Sequence, residues 1–193
     1  MTTIVFATQN PNKVREVQEM LPDHFKIKSL ADIGCNEDIP ETQATIEGNA
    51  IQKATYVYEK YGVDCFAEDT GLEVAALNGA PGIYTARYAG PQRDSGDNMD
   101  LLLKNLEDKA DRSARFKTVI ALILDGKTHT FEGIVDGQIA QRRSGKGGFG
   151  YDPVFLPEGQ QKSFAEMNKV AKNAISHRGR ALSGLLSFFA STK

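Results

Sequence analysis

Apolar positions recur along this chain with two periods, and the switching between them maps alternating strands and helices. Thr3–Ala7 is a short, unbroken apolar run, the pattern of a buried strand, and the turn residues Thr8-Gln9-Asn10-Pro11-Asn12 follow it. Val14, Val17 and Leu21 then share one face of a helix, with Asn10 suited to its cap and Pro11 to its first position. Lys26–Leu30 predicts a second strand. An acidic loop, Asp32–Glu41, leads to a longer helix with the stripe Ile46, Ala50, Ala54, Val57 and Tyr61. Cys65–Ala67 predicts another short strand, ending in Glu68-Asp69-Thr70-Gly71. A Gly- and Pro-rich loop covers Asn78–Gln92, and a helix with Leu101, Leu102 and Leu106 comes next. Phe116–Leu124 and Thr128–Gln138 are longer β-like runs joined at Asp125-Gly126, a good hairpin turn. A second Gly-rich loop, Gly145–Gly150, precedes a short strand around Val154. Leu182, Leu185, Leu186 and Phe189 mark a closing helix. Early βα units with a later hairpin predict an α/β fold around a mixed sheet, and no repeat or linker divides the chain.

Composition narrows the class without changing that picture. The 193 residues suffice for one substantial core, or for two small lobes sharing a sheet. Acids and bases are interspersed to a net charge of -2, which argues against a general attraction to nucleic acid or membrane. Cys35 and Cys65 are isolated and read as reduced, packed cysteines of an intracellular protein, with a single bridge between them as the alternative. The N-terminus runs straight into the first strand with no basic leader or long apolar segment, so the expected location is cytoplasmic.

Charge placement changes the picture more. Ser176 reads as the N-cap of the closing helix, yet His177, Arg178 and Arg180 follow it. A helix N-terminus favours acids by a few tenths to about 1 kcal/mol, so cations there run against the dipole. They suit a ligand that offers acceptors, or else they point into water or pair with acids elsewhere. Thr8-Gln9-Asn10-Pro11-Asn12-Lys13 is a strand-to-helix turn of the kind that attracts phosphate, although it lacks P-loop glycines. Its alternative is a capped helix with an exposed lysine. Glu37, Asp38, Glu41, Glu68 and Asp69 offer the hard oxygens that Mg²⁺ takes, or a carboxylate to orient water, or merely a solvated loop. In Ser144–Pro153, four glycines, Phe149, Tyr151 and Asp152 crowd together. They could stack on and hydrogen-bond a flat heterocycle, or form a tight packed turn. Lys53 and Lys172 fall on helices, where lysine is ordinarily solvated. His24 and His129 have no partner in sequence that suggests catalysis, and no serine-hydrolase elbow, zincin or dinucleotide-binding fingerprint is present.

In combination, five stretches resemble the motifs of the noncanonical purine nucleoside triphosphate pyrophosphatases, the inosine/xanthosine triphosphate pyrophosphatase family. They are Thr8–Lys13, Glu68-Asp69-Thr70-Gly71-Leu72, Ala80–Tyr88, Gly147-Gly148-Phe149-Gly150-Tyr151-Asp152-Pro153 and Ser176-His177-Arg178-Gly179, in the family's order. The family often has Asp-Asp-Ser-Gly at Glu68–Gly71 and Ser at Thr85, and both departures keep the charge or hydroxyl. The resemblance implies a single two-lobed α/β domain around a long mixed sheet, with an active-site cleft between the lobes. It also implies Mg²⁺ dependence, a homodimer, and hydrolysis of ITP, dITP and XTP to the monophosphate and pyrophosphate, clearing deaminated purines from the nucleotide pool. Carried over by position, Thr8, Gln9, Asn10, Pro11, Asn12 and Lys13 would hold the phosphate tail with Lys53. Glu41 and Asp69 would bind the metal, Asp69 would activate water, and Thr70 would contact substrate. Phe149 would stack on the purine beside Gly150, Tyr151 and Asp152, while Lys172, His177 and Arg178 would complete base recognition. Rival readings are a pyrophosphatase for modified pyrimidine or methylated nucleotides, a non-catalytic nucleotide sensor and, against the acidic balance and the lack of a basic stripe, a nucleic-acid-binding protein using the Gly-rich loop.

Overall fold

The computed structural model describes residues 2–191. Its strands are β1 (Thr2–Phe6), β2 (Phe25–Lys28), β3 (Cys65–Val74), β4 (Pro81–Gly82), β5 (Ser113–Leu124), β6 (Lys127–Ile139) and β7 (Phe155–Pro157). Its helices are α1 (Pro11–Met20), α2 (Ile46–Tyr61), α3 (Ser95–Asn105), α4 (Lys169–Ile175) and α5 (His177–Ser191). The sheet order is β2-β1-β3-β5-β6-β7, with β4 paired to β3. β1 is parallel to β2 and β3, whereas β4 is antiparallel to β3 and β7 to β6, so the sheet is mixed as the pattern predicts.

The chain divides into two units. The first comprises the segment up to Asp69, Thr118–Gly133 and the residues from Arg178 onward; the second comprises Thr70–Lys117 and Ile134–His177. In the first unit, Ile4 and Phe6 of β1, Val17 of α1, Phe66 of β3, and Leu182 and Leu185 of α5 share one core. Phe6 and Phe66 occupy neighbouring parallel strands, and their rings stack at 4.4 Å. Such pairs contribute about 0.5–1.5 kcal/mol beyond simple burial. In the second unit, Leu72, Leu102, Leu106, Phe116, Ile139, Phe155 and Phe164 form a separate core.

Local chemistry explains the element boundaries that matter to the site. Asn10 caps α1 with Pro11 at the first position, as expected. α2 opens at Thr45, whose hydroxyl accepts from Gly48 N–H at 2.9 Å, and stops at Gly62 in the left-handed region, φ 61°. Asp125 and Gly126 both have positive φ, 48° and 74°, the geometry of a two-residue hairpin turn.

Two expectations are corrected. β3 runs through Val74, so Glu68-Asp69-Thr70-Gly71 lies inside a strand and not at its end. Acids and glycine are poor strand formers, and what keeps Glu68 there is a set of charged partners described below. The short strand around Val154 is a 3₁₀ turn over Asp152–Val154, with β7 starting only at Phe155, because Pro153 interrupts the ladder. Two others hold: Lys172 falls on a helix, α4, and Ser176, extended at φ -68° and ψ 155°, directly precedes α5. Cys35 and Cys65 are buried thiols, and desolvation pushes the Cys65 thiol up to about 12, which leaves it inert. Among the described residues, no helix is long and apolar enough to cross a membrane.

Candidate functional site

In the first unit, charged groups converge from the β1–α1 turn, α1, the acidic loop, α2, β3 and α5. The turn itself is internally satisfied. Asn10 Oδ1 accepts from the N–H groups of Asn12 at 3.0 Å and Lys13 at 3.4 Å, and Thr8 Oγ1 accepts from Asn10 N–H at 3.2 Å. Two first-turn amides that would otherwise attract an anion are therefore already engaged. The Lys13 side chain is the turn's electrostatic contribution, with Nζ 3.1 Å from Glu68 Oε1. Burial lowers the Lys13 pKa, Glu68 counters it, and Lys53 and Arg178 add to the lowering.

Glu68 is fully buried in β3. Arg178 Nε donates to Oε2 at 2.9 Å and to Oε1 at 3.1 Å, and Nη2 donates to Oε1 at 2.8 Å. Arg178 Nη1 donates to Glu16 Oε2 at 2.5 Å, and Arg178 is itself only 2% exposed. Burial alone would raise the Glu68 carboxyl, but Arg178 and Lys13 outweigh it and hold it well below the carboxylate range. The cationic start of α5 thus has its anions: Nε and both Nη nitrogens of Arg178 bond carboxylates from β3 and α1. That is the pairing alternative raised from the sequence.

Successive strand residues face opposite ways, and Asp69 meets a different cation. Lys53 Nζ, projecting from α2, lies 2.5 Å from Glu41 Oε1 and 3.4 Å from Asp69 Oδ1. The ammonium therefore bridges the two carboxylates that the resemblance gives to the metal. Burial raises the Asp69 pKa, with Lys53 and Lys13 opposing and Glu41 reinforcing. Desolvation would lower Lys53, yet Asp69 and Glu41 overcome it and raise the ammonium pKa. Among the described residues, no group of three or more His, Cys, Asp or Glu side chains is gathered as a preformed metal cage.

The second unit holds the Gly-rich loop. Asp152 Oδ2 accepts from Lys172 Nζ at 2.7 Å and from Phe149 N–H at 2.9 Å, and both charged side chains are buried. Only glycine fits at position 148: its φ is 68°, and a Cβ there would stand 1.9 Å from Asp152 Oδ2. Lys172 Nζ lies 5.2 Å from the centroid of the half-buried Phe149 ring and 5.8 Å from that of Phe164. Tyr151 is buried, and its hydroxyl donates to Thr85 C=O at 2.8 Å. Gly150 adopts φ 61°, and Thr70 is half-buried at the start of this unit's share of β3. The buried His177 ring stacks on Phe116, centroids 4.5 Å apart. Adjacent in sequence, His177 and Arg178 therefore contribute to different units.

The sequence alone singles out nothing at Glu16, and it offers Glu68 as one of several carboxylates for Mg²⁺ or water, not as the partner of an arginine. Glu16 stands three residues after Lys13 on α1, so helical spacing alone puts the two side by side. Glu68 carries no local hint, because its main partner Arg178 is 110 residues away.

Fold and charge distribution define a mixed-sheet α/β protein that gathers buried lysines, arginine and carboxylates beside a strand-to-helix turn. The Ham1 family model matches residues 4–188, and the chain belongs to the Ham1 family. A dITP/XTP pyrophosphatase of Flavobacterium psychrophilum is 59% identical over 96% of this sequence and 98% of its own. That of Flavobacterium johnsoniae is 57% identical, with 98% and 99% covered. Among solved structures, the Ham1 protein of Staphylococcus aureus matches with a TM-score of 0.91 and 38% identity, over 100% of both proteins.

Proposed function

We propose that this protein hydrolyses noncanonical purine nucleoside triphosphates (dITP, XTP and ITP) to the monophosphate and pyrophosphate, in the cytoplasm and as a homodimer. The observation that carries the reading is the Glu41–Lys53–Asp69 bridge beside Lys13, in a sequence closely similar to proteins named dITP/XTP pyrophosphatase. Two carboxylates fit Mg²⁺, which usually takes one or two from the protein and fills its shell with water and substrate phosphates. Glu41 and Asp69 would hold it, and when bound it would neutralise charge on the triphosphate.

The protein's own groups do the rest. Lys13 and Lys53 bind the phosphates as point charges. Asp69 orients a water toward the α-phosphorus and accepts its proton as the new P–O bond forms. The bond to the bridging oxygen breaks, and pyrophosphate leaves. A carboxylate whose pKa is raised by burial is a better base than an exposed one. No covalent intermediate is needed, because phosphoryl-type transfer depends chiefly on positioning and charge stabilisation. For the base, the Phe149 ring stacks on the purine, and Lys172 and His177 offer donors to its 6-keto oxygen. Adenine presents a donor there and would leave buried donors unmatched, a defect that can reject an analogue by about 10⁴-fold or more. Pyrophosphate release measured across dITP, XTP, ITP, GTP and ATP with Mg²⁺ tests this. Expected is preference for the first three and loss on chelation; equal turnover of ATP, or no release, overturns it. Light scattering tests the dimer.

A further inference from the structure

Apart from the Glu68–Arg178 cluster, a second polar convergence in the first unit centres on Glu37. Its Oε1 accepts from Lys60 Nζ at 2.6 Å, Tyr61 Oη at 2.7 Å and Tyr56 Oη at 3.1 Å. Its backbone carbonyl accepts from Gln9 Nε2 at 2.9 Å. The ammonium of Lys60 also lies 5.4 Å from the centroid of the Tyr56 ring. Bonds from Lys60 and Tyr61 pull the Glu37 carboxyl down to about 2, so it is ionised throughout the neutral range. Such a gathering of donors on one half-exposed carboxylate is far more than a solvated acid requires.

What it grips is the loop that carries Glu41. Four residues beyond Glu37, Glu41 reaches Lys53. Immediately after Glu41 the loop is fastened again: Gln52 Oε1 accepts from Thr42 N–H at 2.8 Å, Gln52 Nε2 donates to Thr42 Oγ1 at 2.8 Å, and Asn49 Oδ1 accepts from Gln43 N–H at 2.9 Å. Glu41 therefore hangs on a short span pinned at both ends to α2, the helix that also presents Lys53. Gln9 adds a tie from the β1–α1 turn to the first of those pins.

We propose that Glu37 is a positioning residue for the reaction: gripped by Tyr56, Lys60 and Tyr61, and tied to the phosphate turn through Gln9, it sets the place of Glu41. This rests on the reading of Glu41 as a metal ligand. Groups that orient metal ligands typically contribute about 10- to 100-fold in metal affinity or activity. Glu37 touches neither substrate nor metal, so its loss acts on the metal requirement and not on nucleotide binding.

The test compares Glu37→Leu, Glu37→Gln and Glu41→Gln with the parent. Three quantities are measured: the Mg²⁺ concentration for half-maximal pyrophosphate release, the KM for dITP at saturating Mg²⁺, and Mn²⁺ bound per protein by electron paramagnetic resonance. Expected for Glu37→Leu is a rise of about 10- to 100-fold in half-saturating Mg²⁺ with parallel weakening of Mn²⁺ binding. Its KM and melting temperature stay near the parent's. Glu37→Gln, which keeps an acceptor for the phenols, recovers part of the loss. Parent-like metal dependence in Glu37→Leu, with Glu41→Gln impaired, overturns the positioning role alone. If Glu41→Gln is also parent-like, the metal reading of Glu41 falls and this proposal falls with it. Should Glu37→Leu fail to fold, the milder Tyr56→Phe/Tyr61→Phe pair removes two donors and carries the same expectation.

Discussion

Arg178→Ala separates two parts that a cationic helix start can play. The guanidinium is 2% exposed, and its principal partner Glu68 is entirely buried, with Nε and Nη2 both donating to that carboxylate. Removing one member of a buried ion pair costs about 3–5 kcal/mol, because the other is left as an uncompensated charge. Here Lys13 remains 3.1 Å from Glu68 Oε1, which points to the lower end, about 3 kcal/mol. For a protein of this length each kcal/mol moves the melting temperature by about 2–4 °C, so a drop of about 6–12 °C is expected. Thermal unfolding followed by far-ultraviolet circular dichroism at neutral pH measures it. A double variant, Arg178→Met with Glu68→Gln, leaves no buried charge at either position and should recover much of the lost stability. Kinetics supply the other arm. If Arg178→Ala melts within about 2 °C of the parent while kcat/KM for dITP collapses, the guanidinium serves the nucleotide and the Glu68 argument is refuted.

Asp69→Asn should abolish pyrophosphate release while dITP binding by calorimetry largely survives; near-parent turnover would remove Asp69 from the chemistry. Gly148→Ala forces a Cβ against Asp152 Oδ2 at a left-handed φ, with about 1–2 kcal/mol of strain from the backbone alone. Its KM for dITP should rise, and an unchanged KM and melting point would show that the Asp152–Lys172 pair tolerates displacement. Acid should act through Glu68. Because the folded carboxyl titrates below the unfolded one, its stabilisation is present above about pH 4.3 and is lost as the pH falls through the folded value. Urea midpoints across this range should therefore fall less steeply for Glu68→Gln than for the parent, and identical slopes would contradict the assignment.

Much of the fold is legible in the sequence because its determinants are local. Asn10 and Pro11 announce α1, the apolar stripe from Ile46 to Val57 announces α2, and Asp125-Gly126 announces the hairpin. β3 reads as too short for a complementary reason. Glu68, Asp69 and Gly71 look like the end of a strand unless charges elsewhere are already known to meet them. The cations that do so for Glu68 sit in α1 and α5, and Arg178 is 110 residues from it and 162 from Glu16. The same separation hides the use of Arg178, whose place at a helix start violates a local rule only until Glu16 and Glu68 are counted. Of the candidate site, Glu41 and Asp69 stand out by chemistry and resemblance and Lys53 by resemblance alone, but the bridging of the two carboxylates by one ammonium is a tertiary fact.

α2 shows how a local pattern can encode a distant geometry. Its apolar stripe packs inward, yet Asn49, Gln52, Lys53, Tyr56 and Lys60 recur at the same helical spacing and form a second, polar stripe beside it. Each has a partner in, or adjoining, the acidic loop: Asn49 holds Gln43, Gln52 holds Thr42, Lys53 holds Glu41, and Tyr56 and Lys60 hold Glu37. The loop descends in sequence as the helix ascends, so Gln43, Thr42, Glu41 and Glu37 are laid out antiparallel along the helix face. A rigid helix with a 1.5 Å rise per residue thereby acts as a ruler for a segment with almost no secondary structure of its own. Inserting one residue between Glu37 and Glu41 would leave every individual hydrogen-bonding group intact but spoil the alignment. Loss of metal response in that insertion variant, with melting little changed, is what a ruler requires; full activity would mean that the loop finds its place without α2.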